Sequence, residues 1–140
     1  MDNCVFCDIV EGSSPASIVF QDETCIVFMD IQPVNRGHML VVPKEHSASL
    51  SELKPDIGAH LFKVAQHMAQ AIRRSDVRCE GINIFMADGK AAGQDIFHVH
   101  LHVLPRYSGD NFGLQFGESY GERPSQEELD AIAKDISGSV

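Results

Sequence analysis

Five short, largely apolar runs punctuate the chain, at residues 18–21, 25–29, 39–42, 82–86 and 97–104, and the last of them alternates His with apolar residues. Their length and apolar content predict strands there, several bounded by turn residues at Asp22-Glu23, Asn35-Arg36-Gly37 and Asp88-Gly89. Between residues 55 and 74 the period changes, with Ile57, Leu61, Val64, Ala65, Met68, Ala71 and Ile72 recurring at helical spacing behind a Pro55 suited to a first turn. A second helix is predicted from Ser125, where Ser125 and Glu128 have capping-box spacing and Leu129, Ile132, Ala133 and Ile136 form a narrow stripe. Residues 107–124 are Gly-rich and polar and read as an irregular loop. Strands in runs, with helices between and after them, argue for an α+β fold on a mainly antiparallel sheet, not for an alternating βαβ plan.

The chain has 140 residues, which suits one domain spanning 1–140, and its 44% hydrophobic and 22% charged composition excludes disorder for the bulk of it. The 11 Lys and Arg against 20 Asp and Glu leave a net charge of −9, which repels a nucleic-acid polymer at long range. A small phosphorylated ligand remains compatible, because a local pocket of His, Arg and backbone N–H groups outweighs a distant field at contact. No apolar stretch reaches the length of a membrane span, and the start, MDNCVFCDIVEG, lacks the basic and apolar regions of a signal peptide. The expected location is therefore the cytoplasm. In a reducing compartment the Cys4-x-x-Cys7 pair reads as a metal or redox motif before it reads as a disulfide; a redox role is disfavoured because no βαβ context or helix start is evident after it. Cys25 and Cys79 are isolated and expected in the core, and His60 and His67 on a solvated helix face.

The most informative segment is Phe97-His98-Val99-His100-Leu101-His102-Val103-Leu104-Pro105-Arg106. Alternation places His98, His100 and His102 on one sheet face and Val99, Leu101 and Val103 on the other, with adjacent imidazoles about 7 Å apart along the strand. A half-exposed amphipathic strand is the plain reading, but three titratable rings on one face are costly unless each finds a partner. Two chemistries suit such a face. Neutral imidazole attacks phosphorus and forms a covalent intermediate, while its neighbours stabilise phosphoryl charge or deliver a proton; imidazole also ligates zinc.

The His-apolar-His-apolar-His-apolar-apolar run resembles the signature of the histidine triad (HIT) nucleotide hydrolases and transferases. Supporting pieces are Cys4-Val5-Phe6-Cys7, Phe28-Met29-Asp30-Ile31-Gln32-Pro33, the block from Gly37 to His46, Gly81-Ile82-Asn83 and Ala92-Gly93-Gln94, in that order. The resemblance covers roughly Cys4 to Arg106, the expected core, with the loop and helix of 107–140 appended. It implies a sheet of about five antiparallel strands with two helices, extended across a homodimer.

The resemblance further implies that His100 is the nucleophile, attacking the α-phosphorus of a purine nucleotide conjugate to give a nucleotidyl-histidine that water then releases as AMP or GMP. His102 would contact the α-phosphate oxygens and His38 would support the nucleophile. Asp30 would take the ribose hydroxyls with Ile31 beside it, although an Asp at a strand end also stabilises a following turn. Asn83 and Gln94 match polar residues near the phosphates, a plain strand-edge amide being an equal reading for Asn83. Asp95 departs from the pattern, since members that hydrolyse phosphoramidates most often carry Ser there, and at neutral pH a carboxylate accepts and does not donate. Zinc-bearing bacterial relatives look like this sequence, which implies a structural site of Cys4, Cys7, His46 and His98; the alternative is an unliganded pair of small apolar cysteines. Arg106 reaches phosphate or caps the sheet edge. Two rival readings are a non-enzymatic purine nucleotide-binding adaptor dimer and a small zinc-storing or zinc-sensing module.

Overall fold

A computed structural model describes residues 3–140. The sheet has five antiparallel strands, β1 (Ile18–Gln21), β2 (Cys25–Met29), β3 (Met39–Pro43), β4 (Gly81–Phe85) and β5 (Leu101–Arg106), in the spatial order β1-β2-β3-β5-β4. β2 and β3 are buried on both faces, which explains their continuous apolar sequences. One face carries Cys25, Val27, Met39, Val41, Val99, Leu101 and Val103 against the long helix α2 (Pro55–Arg74). That helix buries Leu61, Val64, Ala65, Met68, Ala69 and Ile72 and begins on Pro55, as its periodicity predicts.

The opposite face buries Ile26, Phe28, Leu40 and Val42 under Phe6 of a short helix, α1 (Val5–Glu11). This helix corrects the expectation of two helices, and it starts directly after the first cysteine of the C-x-x-C pair. Cys4 is its N-cap, with Sγ accepting the Cys7 N–H at 3.4 Å. Gly12 ends it in the left-handed region at φ 82°, with its N–H on the carbonyls of Asp8 and Ile9. Its seven residues are too few to show a period.

The last helix, α3 (Gln126–Ser137), has the predicted cap, Ser125 Oγ accepting from Glu128 N–H at 3.2 Å. Its stripe of Leu129, Ile132 and Ile136 is exposed in the single chain. His60 on α2 is not simply solvated, because its Nε2 lies 2.7 Å from Asp22 Oδ2. Burial opposes ionisation of Asp22, but His60 and the N–H groups of Cys25 and Thr24 outweigh it and bring its pKa down to about 2. No helix among the described residues is long and apolar enough to cross a membrane.

Two features position the site. The loop after β2 folds back through Gly37, whose φ of 97° favours glycine and whose missing Cβ would lie 2.7 Å from Val77 Cγ1. Its neighbour His38 is thereby delivered to the sheet. Ladder pairing of β5 begins only at Leu101, four residues later than the alternation suggests, because Val99 N–H is turned to the Ser47 carbonyl at 2.8 Å. His98 and His100 thus precede the paired strand, yet their side chains stay on the α1 side while Val99, Leu101 and Val103 stay under α2.

Candidate active site

A cleft of about 460 Å³ opens on the α1 face of the sheet, within the range of small-molecule sites. Asp30, His38, Asp95, His100 and His102 line it together with Phe6, Ile9, Phe28 and Ile31, the last 95% exposed. An apolar wall with a few convergent polar groups is the composition expected of a small-molecule pocket.

The hydrogen-bond polarity of the imidazoles follows from backbone groups whose roles are fixed. Val34 N–H donates to His38 Nδ1 at 3.2 Å, so in neutral His38 the proton sits on Nε2. That Nε2 lies 2.9 Å from His102 Nδ1, which must then accept, leaving the His102 proton on Nε2. His100 Nδ1 lies 2.8 Å from the His98 carbonyl oxygen, which only accepts, so Nδ1 of His100 carries the proton and Nε2 the lone pair. Neither Nε2 has a partner among the described residues, and neither is a buried orphan, so both reach the solvent of the cleft. Side by side, with ring centroids 4.9 Å apart, stand one imidazole lone pair and one imidazole donor. The rings are closer than strand spacing alone suggests, with their planes at 56° to one another.

Burial first, and then the neighbouring imidazoles His100 and His38, push the His102 pKa down to about 4, against the pull of Asp30 and Asp95. His38 is lowered by burial too, with Asp30 opposing and its Oδ2 3.6 Å from Nε2. Phe85 stacks on His102 at 4.3 Å between centroids, and Phe6 meets His100 edge-on at 5.1 Å. Neither aromatic is evident as a site residue from sequence, although Phe85 at an outward-facing position of a strand was a usable signal.

Asp30 lines the cleft, and its Oδ1 accepts the Gln32 N–H at 2.8 Å in the turn that follows β2. Three of the polar residues have partners that the sequence does not reveal. His38 bonds to His102 and not to the nucleophile candidate His100. Gln94 is buried outside the cleft lining: its Oε1 accepts Gly89 N–H at 2.8 Å and its Nε2 donates to the Ala48 and Ile96 carbonyls at 2.8 and 3.1 Å. With its amide so engaged, it fixes the loop before the His row. Asn83 likewise lies outside the cleft lining and accepts from Arg106 Nη1 at 2.6 Å. Arg106 in turn clasps Asp110 at 2.6 and 2.9 Å and donates to the Phe112 carbonyl, holding Phe112 at the cleft mouth.

Adjacent to the cleft, Cys4, Cys7, His46 and His98 converge with their ligating atoms all within 4.8 Å of one another. His98 Nδ1 is 3.3 Å from Cys4 Sγ, 3.6 Å from Cys7 Sγ and 3.1 Å from His46 Nδ1, and His46 Nδ1 is 3.4 Å from Cys7 Sγ. Zinc bond lengths of about 2.3 Å to sulfur and 2.0 Å to nitrogen place tetrahedral ligand atoms about 3.3–3.8 Å apart, so the donor set fits zinc. His98 donates its other ring proton to the Pro43 carbonyl at 2.8 Å, which turns the Nδ1 lone pair toward the sulfurs. Burial, with Cys4 and the acids Glu11 and Asp8 adding to it, pushes the Cys7 thiol up to about 11, so a thiolate here at neutral pH requires a cation.

The sheet order, the imidazole row and the cleft beneath α1 define a histidine-triad fold. The HIT domain family matches residues 11–109. A HIT family protein from Bacillus anthracis is similar in structure, with a TM-score of 0.90 and 39% identity over 99% of this chain and 98% of that one. A Zn-bound histidine triad family protein from Mycobacterium smegmatis gives 0.77 and 39% over 99% and 98%. An adenosine 5'-monophosphoramidase of Schizosaccharomyces pombe is 33% identical over 99% of this chain and 98% of its own length. The chain belongs to the histidine triad family.

Proposed function

We propose that the protein is a nucleotide hydrolase or transferase that cleaves AMP or GMP conjugates at the α-phosphate through a nucleotidyl intermediate on His100. The observation that carries this reading is the fixed opposite polarity of the two facing imidazoles, a lone pair on His100 and an N–H on His102. A purine nucleoside would occupy the apolar part of the cleft with its ribose diol on Asp30, whose Oδ2 remains available to accept. His100 Nε2 attacks the α-phosphorus while His102 Nε2–H donates to a non-bridging oxygen, where charge develops. The bond to the leaving group breaks with its electron pair, and the departing atom takes a proton from solvent at the open mouth. Water then adds to phosphorus, the P–N bond to His100 breaks, and the nucleoside monophosphate leaves. His38 acts through His102 as a positioning residue. The phosphoramidase named among the relatives supports a hydrolase reading.

Cys4, Cys7, His46 and His98 would hold a structural zinc, with four protein ligands and no open position for chemistry. Its contribution would be to fix α1, one wall of the cleft. The open β4 edge and the exposed stripe of α3 support a homodimer in which the sheet continues across two copies.

The test compares the wild type with His100→Asn on an adenosine phosphoramidate and a diadenosine polyphosphate. The variant should bind AMP with unchanged affinity and lose turnover by at least about a thousandfold, and wild type quenched in alkaline denaturant, in which the P–N bond survives, should carry labelled nucleotide on one histidine. Full activity in the variant would reject the nucleophile. Nucleotide binding without turnover in the wild type would install the adaptor reading in its place.

A further inference from the structure

Beside the main cleft lies a second depression of about 390 Å³, and the two share Val5, Asp95 and Ile96 as a common rim. The rest of the depression is formed by Asn3, by Cys4 and His46 of the Cys/His cluster, and by Phe97, which is 51% exposed. Asp95 is exposed and its carboxylate makes no hydrogen bond among the described residues, although its charge is felt at His102. Among the described residues no Lys or Arg lines either depression, and a zinc held by Cys4, Cys7, His46 and His98 would be balanced by its two thiolates, so no net positive charge is offered there to an anionic group.

We propose that the second depression receives the leaving group of the nucleotide conjugate, and that Asp95 on the shared rim selects leaving groups bearing a positive charge. A substrate with its α-phosphate at His100 extends over the rim at Asp95, and its distal part then meets a carboxylate flanked by an open aromatic ring. That pairing suits an ammonium carried on a short aliphatic stem, by ion pairing and by cation–π contact. A leaving group carrying carboxylate, sulfate or further phosphates meets the same carboxylate with no cation to offset it. The substrate class is therefore a nucleoside 5'-phosphoramidate whose amine component carries a second, protonated amine. This specificity rests on the hydrolase reading above.

The test uses two AMP phosphoramidates with the same P–N bond and similar stems, one made from 1,3-diaminopropane and ending in ammonium, the other from β-alanine and ending in carboxylate. In the wild type, kcat/KM should favour the ammonium conjugate by about tenfold, attraction and repulsion at an exposed site each contributing a few-fold. The ratio should fall toward one in Asp95→Asn, invert in Asp95→Lys, and shrink in 0.5 M salt, a concentration at which the Debye length is only about 4 Å. Phe97→Lys, at a residue that lines only the second depression, should lower the ratio as well. The same comparison made as equilibrium binding in His100→Asn reads the subsite independently of turnover, so failure of the hydrolase reading leaves this arm intact. A binding ratio indifferent to Asp95 overturns the selectivity, and one sensitive to Asp95 but indifferent to Phe97→Lys overturns the placement of the leaving group.

Discussion

The Nδ1 atom of His100 lies 2.8 Å from the backbone carbonyl oxygen of His98, and the side chain of His98 is itself one arm of the Cys/His cluster. One residue of extended chain thus separates the candidate zinc ligand from the candidate nucleophile. The cluster also holds α1, whose Phe6 lies edge-on to both rings at 5.8 and 5.1 Å.

Removal of the metal should consequently be felt in the cleft. Cys7→Ala, or exhaustive chelation of the wild type, is expected to lower the melting temperature by several degrees and to reduce kcat/KM by about tenfold, the lower end for disturbed ligand support. Elemental analysis with thermal melts checks this. One tightly held zinc per chain with no change in either quantity on its removal would sink the structural role.

Acid should destabilise the fold through His102. Its folded pKa of about 4 lies below the ordinary 6.5, so the unfolded chain takes up a proton that the folded chain refuses. The stability from this group is complete above pH 6.5, declines as pH falls toward 4, and changes no further below that. Urea midpoints measured from pH 7.5 to 4.5 should therefore drop less steeply in His102→Gln than in the wild type. Parallel profiles would contradict the assignment.

Gly37→Ala should cost about 2–4 kcal/mol, combining a positive φ with a Cβ that would sit 2.7 Å from Val77 Cγ1. Denaturant unfolding measures the loss. Val77→Ala in the same chain should recover the steric part but not the conformational part, so a double variant as unstable as the single would place the strain elsewhere.

Gln94→Leu should destabilise by about 1–3 kcal/mol, since it strands the Gly89 N–H and the carbonyls of Ala48 and Ile96. Because the Gln94 amide is engaged by the backbone, AMP affinity in solution should persist in protein that remains folded. An affinity loss without a stability loss would return Gln94 to the phosphates.

Much of this was legible in the sequence because strands and a twenty-residue helix leave periods that survive local noise. The α2 boundaries and the face of each His in the row follow directly from those periods. The start of β5 was not legible, because the Ser47 carbonyl that captures Val99 N–H comes from a distant loop. Helix α1 was hidden by its length. Glutamine and asparagine suit phosphate and backbone equally well, so Gln94 and Asn83 acquired their roles only when the fold supplied Gly89, Ala48 and Arg106 as partners. The cluster was readable as a donor set by resemblance, but its closure joins Cys4 to His98 across 94 positions and needed the folded sheet.

The imidazoles of the cleft are set by two main-chain groups, the Val34 N–H that fixes His38 and through it His102, and the His98 C=O that fixes His100. Every residue type supplies a carbonyl, and every type but proline supplies an N–H. The proton bookkeeping of the cleft is therefore insulated from drift in side-chain identity at position 34: mutation can wander there through nineteen amino acids and still leave each ring holding its hydrogen on the same nitrogen, whereas one further proline beside Pro33 would erase the instruction.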